Sequence, residues 1–165
     1  DPAEARGILE ACHTLRAERF AAQGIDNPFA SPEIHAFLDE AVTAGIETGA
    51  PAVELHALTL DDRAIAIFGM VTDQTRISGL LTAFDTSGEL ARYSPGDILL
   101  NRMIADACAR GFRTFDLGAG EAHYKDKVCK ETEPLSDAVI PVTIAGRVAG
   151  VALSTGIRLK RALKQ

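Results

Sequence analysis

The sequence predicts an α/β domain of the layered α+β type, with a mixed, mostly antiparallel sheet flanked by helices. Three observations predict it. Apolar residues recur at helical spacing between Ala3 and Gly45. The pattern then changes to β-branched and apolar runs between Val53 and Phe84. Finally, a helical pattern opening at Pro95 leads into a short apolar run that ends at Leu117.

Residues 3–22 carry Ile8, Leu9, Cys12, Leu15 and Phe20 among charged residues, and Gly24 stops this first helix. After a loop, Ser31 stands as an N-cap, Pro32 takes the first helical position and Glu33 suits the positive helix end. Ile34, Phe37, Leu38, Ala41 and Val42 form one apolar face, and the helix ends at Gly45 or Gly49. Residues 53–60 and 64–71 read as antiparallel strands joined at Asp61-Asp62-Arg63, because aspartates tolerate the left-handed conformations of a tight hairpin. Residues 76–84 form a third strand, and residues 85–89 are turn chemistry. Ser94-Pro95-Gly96-Asp97 starts the next helix. Leu100, Met103, Ile104 and Ala107 make its buried face, Cys108 joins the core at its edge, and Gly111 lies at its C-cap. Residues 113–117 are a short strand running into Gly118-Ala119-Gly120. A short helix over 121–130, a strand over 139–144 and a helix over 148–163, weakened by Gly150 and Gly156, complete the order.

The 165 residues suit one domain, 1–165, with a real core. The chain starts at Asp1 rather than Met, so it is read as a possible piece of a longer protein. The net charge of −6 argues against general affinity for DNA or anionic membrane. Arg158, Lys160, Arg161 and Lys164 are read as a solvated last helical turn. Three cysteines without CxxC spacing point away from a disulfide framework or zinc knuckle, and towards a reducing, cytoplasmic compartment. No apolar run reaches membrane-span length. His13, His35 and His56 show no metal-ligand spacing and are read as structural, so no metal is expected.

Two segments can carry chemistry. In Arg92-Tyr93-Ser94-Pro95-Gly96-Asp97, unpaired N–H groups at a helix start can hold a pyrophosphate, and Gly96 permits close approach. The same residues also read as a capping box, with Asp97 three residues after Ser94. In the stretch 115–125, polar residues follow a buried strand: Asp116, Glu121, His123, Tyr124 and Lys125 are acid–base candidates. Asp116 reads equally as a buried aspartate satisfied by backbone N–H groups.

Taken together, Phe84-Asp85, Tyr93-Ser94-Pro95-Gly96, Leu99-Leu100, Gly111, Phe115-Asp116-Leu117-Gly118-Ala119-Gly120-Glu121 and Tyr124-Lys125 resemble the GNAT acyltransferase domain of the CelD/BioF2-like group, a relative of the Fem-type aminoacyltransferases. The hairpin from Leu58 to Ala66 and the helix around Arg16 to Gly24 fit as well, so the resemblance covers roughly residues 15–130. It implies a sheet splayed where acetyl-CoA or another acyl-CoA enters, with Tyr93, Ser94, Pro95, Gly96 and Asp97 at its pyrophosphate. The usual R/Q-x-x-G-x-G/A motif is represented by Arg92 and Gly96 without a second glycine. Backbone N–H groups near Ala83 and Phe84 would polarise the thioester. Tyr124 would protonate the leaving thiolate, Asp116 or Glu121 would act as base, and Lys125 would steady an anionic substrate or the oxyanion. The acceptor would be a small molecule, carbohydrate or amine, and a second GNAT-like domain or homodimer partner is compatible. Two other implied readings are a non-catalytic GNAT-like half of a larger protein and a Fem-like aminoacyl transferase.

Overall fold

In the computed structural model of the chain, which describes residues 1–120, 123–136, 138 and 140–162, the helices begin where local chemistry starts them. The first helix, α1 (Pro2–Gln23), opens on a capping box: the Asp1 carboxylate accepts from the Glu4 N–H at 2.8 Å, and Glu4 reaches back. It closes on Gly24, whose φ of 65° is the left-handed conformation glycine adopts freely. The second, α2 (Pro32–Thr43), is capped by Ser31, whose Oγ accepts from the Ile34 N–H at 3.3 Å. It ends at Thr43 with Ala44 at the C-cap, directly before Gly45, the first of the two glycines expected to stop it. Gly45 instead makes the bend that follows: at φ 77° a Cβ there would lie 2.1 Å from the carbonyl oxygen of Ala50.

Three strands follow, β1 (Glu54–Leu60), β2 (Arg63–Thr72) and β3 (Arg76–Phe84). Asp61 and Asp62 join the first two with φ of 50° and 60°, the twisted two-residue turn that matches strand twist. The helix α3 (Pro95–Ala109) then crosses over to β4 (Thr114–Asp116), which lies parallel to β3. The sheet order is β1-β2-β3-β4. Only three residue pairs join the last two strands: Arg76 with Thr114, Ile77 with Phe115, and Ser78 with Asp116. Beyond Ser78, β3 runs on to Phe84 without β4 beside it.

Each face of the sheet carries its own core. Leu9, Cys12 and Leu15 of α1 and Leu38 and Val42 of α2 pack on Val53, Ile67, Leu81 and Ala83. On the other face, Leu99, Leu100, Met103 and Ala107 of α3 pack on Ala66, Phe68, Met70 and Ile77. Two expected core members are outside: Phe37 is exposed and so is Cys108, because each lies one position beyond the stripe its helix buries.

The residues cluster into two compact units, Asp1–Val128 and Cys129–Gln165. The first ends with the short helix α4 (His123–Val128). The second holds α5 (Ile144–Ala162), which begins four residues before the predicted start. The strand expected over 139–144 does not form in its described part: residues 140–143 are irregular and Ile144 already belongs to α5. Ile140, Val142, Val148 and Val151 are exposed, so the β-branched run has no neighbouring strand to pair with among the described residues. No helix among them is long and apolar enough to cross a membrane.

Candidate active site

The site forms where β3 outlives its partner. The N–H of Asp85 donates to the Ile65 carbonyl at 2.8 Å. Backbone direction alternates along an antiparallel ladder, so Ala83 also faces β2, where it pairs with Ile67. Thr82 and Phe84 therefore present their N–H and C=O groups to the opposite edge, the one β4 has left. Of the two positions expected to polarise a thioester, Phe84 has its N–H on this open edge, whereas Ala83 spends its own within the sheet. Thr82 Oγ1 is buried nearby without a hydrogen-bond partner.

Asp85 locks the exit from β3. Its buried carboxylate accepts from the Ser87 hydroxyl at 2.6 Å, the Ser87 N–H at 2.8 Å and Arg63 Nη2 at 2.7 Å. The bond from the Ser87 hydroxyl, with those from its N–H and from Arg63, holds the acid below the ordinary aspartate range. A 3₁₀ turn, Gly88–Tyr93, then delivers the chain to Ser94.

Ser94 both closes that turn and opens α3, in a left-handed conformation of φ 49°. Its side chain caps nothing, so the capping box expected between Ser94 and Asp97 is absent. The cause is geometric: a capping serine needs extended backbone to turn its hydroxyl inward, as Ser31 has at ψ 142°. The N–H groups of Asp97 and Ile98 bond the Ser94 carbonyl at 2.9 and 3.2 Å. Pro95 has no N–H, and Gly96 at the second helical position has no intrahelical acceptor for its own. Gly96 has a packing reason too, since a Cβ there would lie 3.1 Å from Cδ1 of Phe84. Tyr93 is exposed and its hydroxyl accepts from Arg92 at 2.8 Å.

The loop after β4 is held by its own polar side chains. Asp116 Oδ1 accepts from the Gly118 N–H at 2.7 Å, and Oδ2 accepts from Arg76 at 3.2 Å and from the Ser78 hydroxyl at 3.4 Å. The Lys125 ammonium donates to three consecutive carbonyls, Gly118, Ala119 and Gly120, at 2.9, 3.1 and 3.0 Å. Both residues are thus engaged in shaping the turn that Gly118 and Gly120 make with φ of 76° and 92°. The Tyr124 ring packs against the α3-side core, as does Phe84. Glu121 lies outside the described residues.

Sequence reasoning missed the residues of α1 that reach this edge. Arg16 is buried, and its Nη1 donates to the Thr82 carbonyl at 3.1 Å. Arg19 places its guanidinium carbon 5.3 Å from the Phe84 ring centre. The available signal was periodic: Arg16 falls four after Cys12 and seven after Leu9, a charge on the apolar stripe.

Among the described residues, no group of three or more His, Cys, Asp or Glu is placed to hold a metal ion. A hollow of about 350 Å³ lies between α1 and the start of β2, lined by Glu10, Glu18 and Arg63 among others. None of the residues expected from sequence lines it.

The family described as acetyltransferase (GNAT) domain matches residues 1–126. Two solved structures share the fold. One is the crystal structure of a predicted acetyltransferase with acetyl-CoA from Clostridium acetobutylicum. It is 13% identical, with a TM-score of 0.57, covering 84% of this chain and 91% of that one. The other, a possible acetyltransferase from Clostridium difficile 630, is 10% identical with a TM-score of 0.51, covering 82% of this chain and 94% of that one. No curated protein matches the sequence.

Proposed function

The chain belongs to the acetyltransferase (GNAT) domain family, and from that premise we propose that it transfers an acyl group from acyl-CoA to an amine or hydroxyl acceptor. The observation that carries this reading is the open edge of β3. Past the Ser78–Asp116 pair the edge of the strand is no longer covered by β4. The Thr82 carbonyl is held by Arg16, the Phe84 N–H faces the gap, and the start of α3 stands beside the strand's end. An extended pantetheine arm can add along such an edge as a strand does. The Gly96 N–H and the positive end of α3 suit a pyrophosphate.

In the reaction the acceptor nitrogen or oxygen bonds to the acyl carbon, and the carbon–sulfur bond then breaks with its electron pair on sulfur. The Phe84 N–H, on the open edge, is the donor assigned to the oxyanion. Tyr124 is assigned to protonate the thiolate, and Glu121 or a water chain to take the acceptor's proton. Asp116 and Lys125 are assigned to keep the loop after β4 in shape, since loop partners already occupy them. An acceptor of amine or carbohydrate type, CelD/BioF2-like subgroup membership and a cytoplasmic setting are finer parts of the same reading.

The loop bonds of Asp116 and Lys125 favour one second reading, a GNAT-like module that binds acyl-CoA without turnover. A titration separates the two. Acetyl-CoA at one hundred times its Kd should stabilise the fold by about 2.7 kcal/mol, and release of free CoA with an acceptor marks the enzyme. Binding without release would select the module. No stabilisation at millimolar acetyl-CoA would overturn both.

A further inference from the structure

Arg16 and Arg19 form a cationic pair that the described residues leave without a counter-ion. Arg16 is only 8% exposed. Its guanidinium carbon lies 3.8 Å from the Phe29 ring centre and 5.8 Å from that of Phe20, and Nη1 donates to the Thr82 carbonyl. Arg19, one turn on, lies between Phe20 and Phe84 at 5.6 and 5.3 Å. The Nε atoms of both arginines are buried without an acceptor. So is Nε2 of His13, on the same face of α1 and stacked on His35 at 3.8 Å.

Several other arginines are paired: Arg6 with Asp39, Arg63 with Asp85, Arg76 with Asp116 and Arg110 with Glu54. Arg102, Arg113 and Arg147, which have no ion pair among the described residues, are exposed to water. Neither Arg16 nor Arg19 enters an ion pair among the described residues. This is costly, because a buried charge is ordinarily paired and a guanidinium does not shed its proton near neutrality. Burial first pushes the Arg16 guanidinium down from its ordinary value; Cys12 offsets part of this and the neighbouring Arg19 charge adds to it. In a chain of net charge −6 carboxylates are plentiful. Two adjacent cations with free, inward N–H groups and no acid are therefore arranged for an anion that arrives from outside.

Their position says which anion. Thr82 and Phe84 lie on the open edge of β3, and Arg16 and Arg19 approach it from the α1 face. The Phe84 ring separates Arg19 from Gly96 at the start of α3. The pair thus stands across the strand end from the turn assigned to the pyrophosphate. We infer that Arg16 and Arg19 bind a carboxylate or phosphate carried by the acceptor, holding its amine or hydroxyl over the thioester at this edge. The inference rests on the acyl-transfer reading for the identity of the ligand, but not for the anion site itself.

Two measurements on the full chain test it. In the first, thermal unfolding is followed in inorganic phosphate and in acetate against chloride at equal ionic strength, for the native protein, Arg16→Gln and Arg19→Gln. Phosphate should raise the native Tm, and the rise should vanish in either variant. Arg19 is half-buried, so Arg19→Gln serves if Arg16→Gln does not fold. In the second, CoA release from acetyl-CoA is compared for amino acids against their amides, and for amino-sugar phosphates against the free amino sugars. One anionic class should be used about tenfold better or more, and either arginine variant should raise KM for that acceptor by a similar factor while acetyl-CoA still raises Tm. Equal use of charged and neutral acceptors would overturn the inference, and so would an anion effect that survives in both variants. An arginine-dependent phosphate effect without any acetyl-CoA binding would keep the anion site and defeat the acyl-transfer reading.

Discussion

The ring of Phe84 occupies the space that a side chain on Gly96 would need: a Cβ there would stand 3.1 Å from Cδ1 and 3.3 Å from Cγ. The last residue of β3 and the first turn of α3 are thereby packed face to face. Gly96→Ala should lower stability by about 1–3 kcal/mol through overpacking, more than any gain in helix propensity. Urea unfolding checks this, and adding Phe84→Leu to Gly96→Ala should recover most of the loss. A more stable Gly96→Ala would refute the packing account.

Ser31 and Ser94 both precede a proline at a helix start, yet only Ser31 caps. Ser31→Ala should cost about 1 kcal/mol, whereas Ser94→Ala should stay within about 0.5 kcal/mol. Ser94→Gly should stabilise by about 0.5–1 kcal/mol, because it removes a left-handed non-glycine residue. Equal losses at the two serines would contradict the assigned geometry.

The Asp85 carboxylate has its pKa depressed by Ser87 first and then by Arg63. A depressed folded pKa means stability that is present above the unfolded value of about 3.9 and lost as pH falls through the lower folded value. The unfolding free energy should therefore drop on acidification below about pH 4. Asp85→Asn should be less stable at pH 7 and show a shallower acid slope. An unchanged slope would assign the acid sensitivity to other groups.

Cys12 is buried on the α1 face and burial pushes its thiol up to about 11, partly offset by Arg16. Cys108 and Cys129 are exposed. A thiol reagent at pH 8 should modify Cys108 and Cys129 in the folded chain and reach Cys12 only in denaturant. Rapid modification of Cys12 under native conditions would show that the α1 face opens.

Lys125→Met removes the donor shared by the Gly118, Ala119 and Gly120 carbonyls. The expected loss is about 0.5–1.5 kcal/mol, with faster amide exchange confined to the loop after β4. If exchange there is unchanged while turnover collapses, Lys125 acts on the substrate rather than on the loop.

Much of the fold was legible because local rules and tertiary packing agree. The Asp61-Asp62 hairpin and the Ser31-Pro32 helix start each need only neighbouring residues, and each forms where expected. The failures have a common cause. Ser94 and Asp97 carry capping chemistry, but the backbone that arrives from the 3₁₀ turn sets the conformation of Ser94. The β-branched run over 139–144 lacks a described neighbour to complete a ladder. Helix-start chemistry located the turn at Gly96, and the polar cluster after a buried strand located the loop at Asp116. Neither pattern revealed that Phe84 fills the space at Gly96, or that Lys125 is held by carbonyls. The burial of Arg16 is not legible in its helix alone, because it depends on Phe29 and Thr82, distant in sequence.

The brevity of the β3–β4 ladder has a mechanical consequence. Three residue pairs clamp the strands at the Arg76 end, so the gap between them behaves as a wedge hinged at one tip. Prising it apart costs most beside Ile77, which is buried in the core, and least beside Phe84. A guest entering from the wide end has no strand pairing to break before it docks, and has only the Arg16 contact to the Thr82 carbonyl to displace. Its arrival would then change the stiffness of the sheet more than its shape.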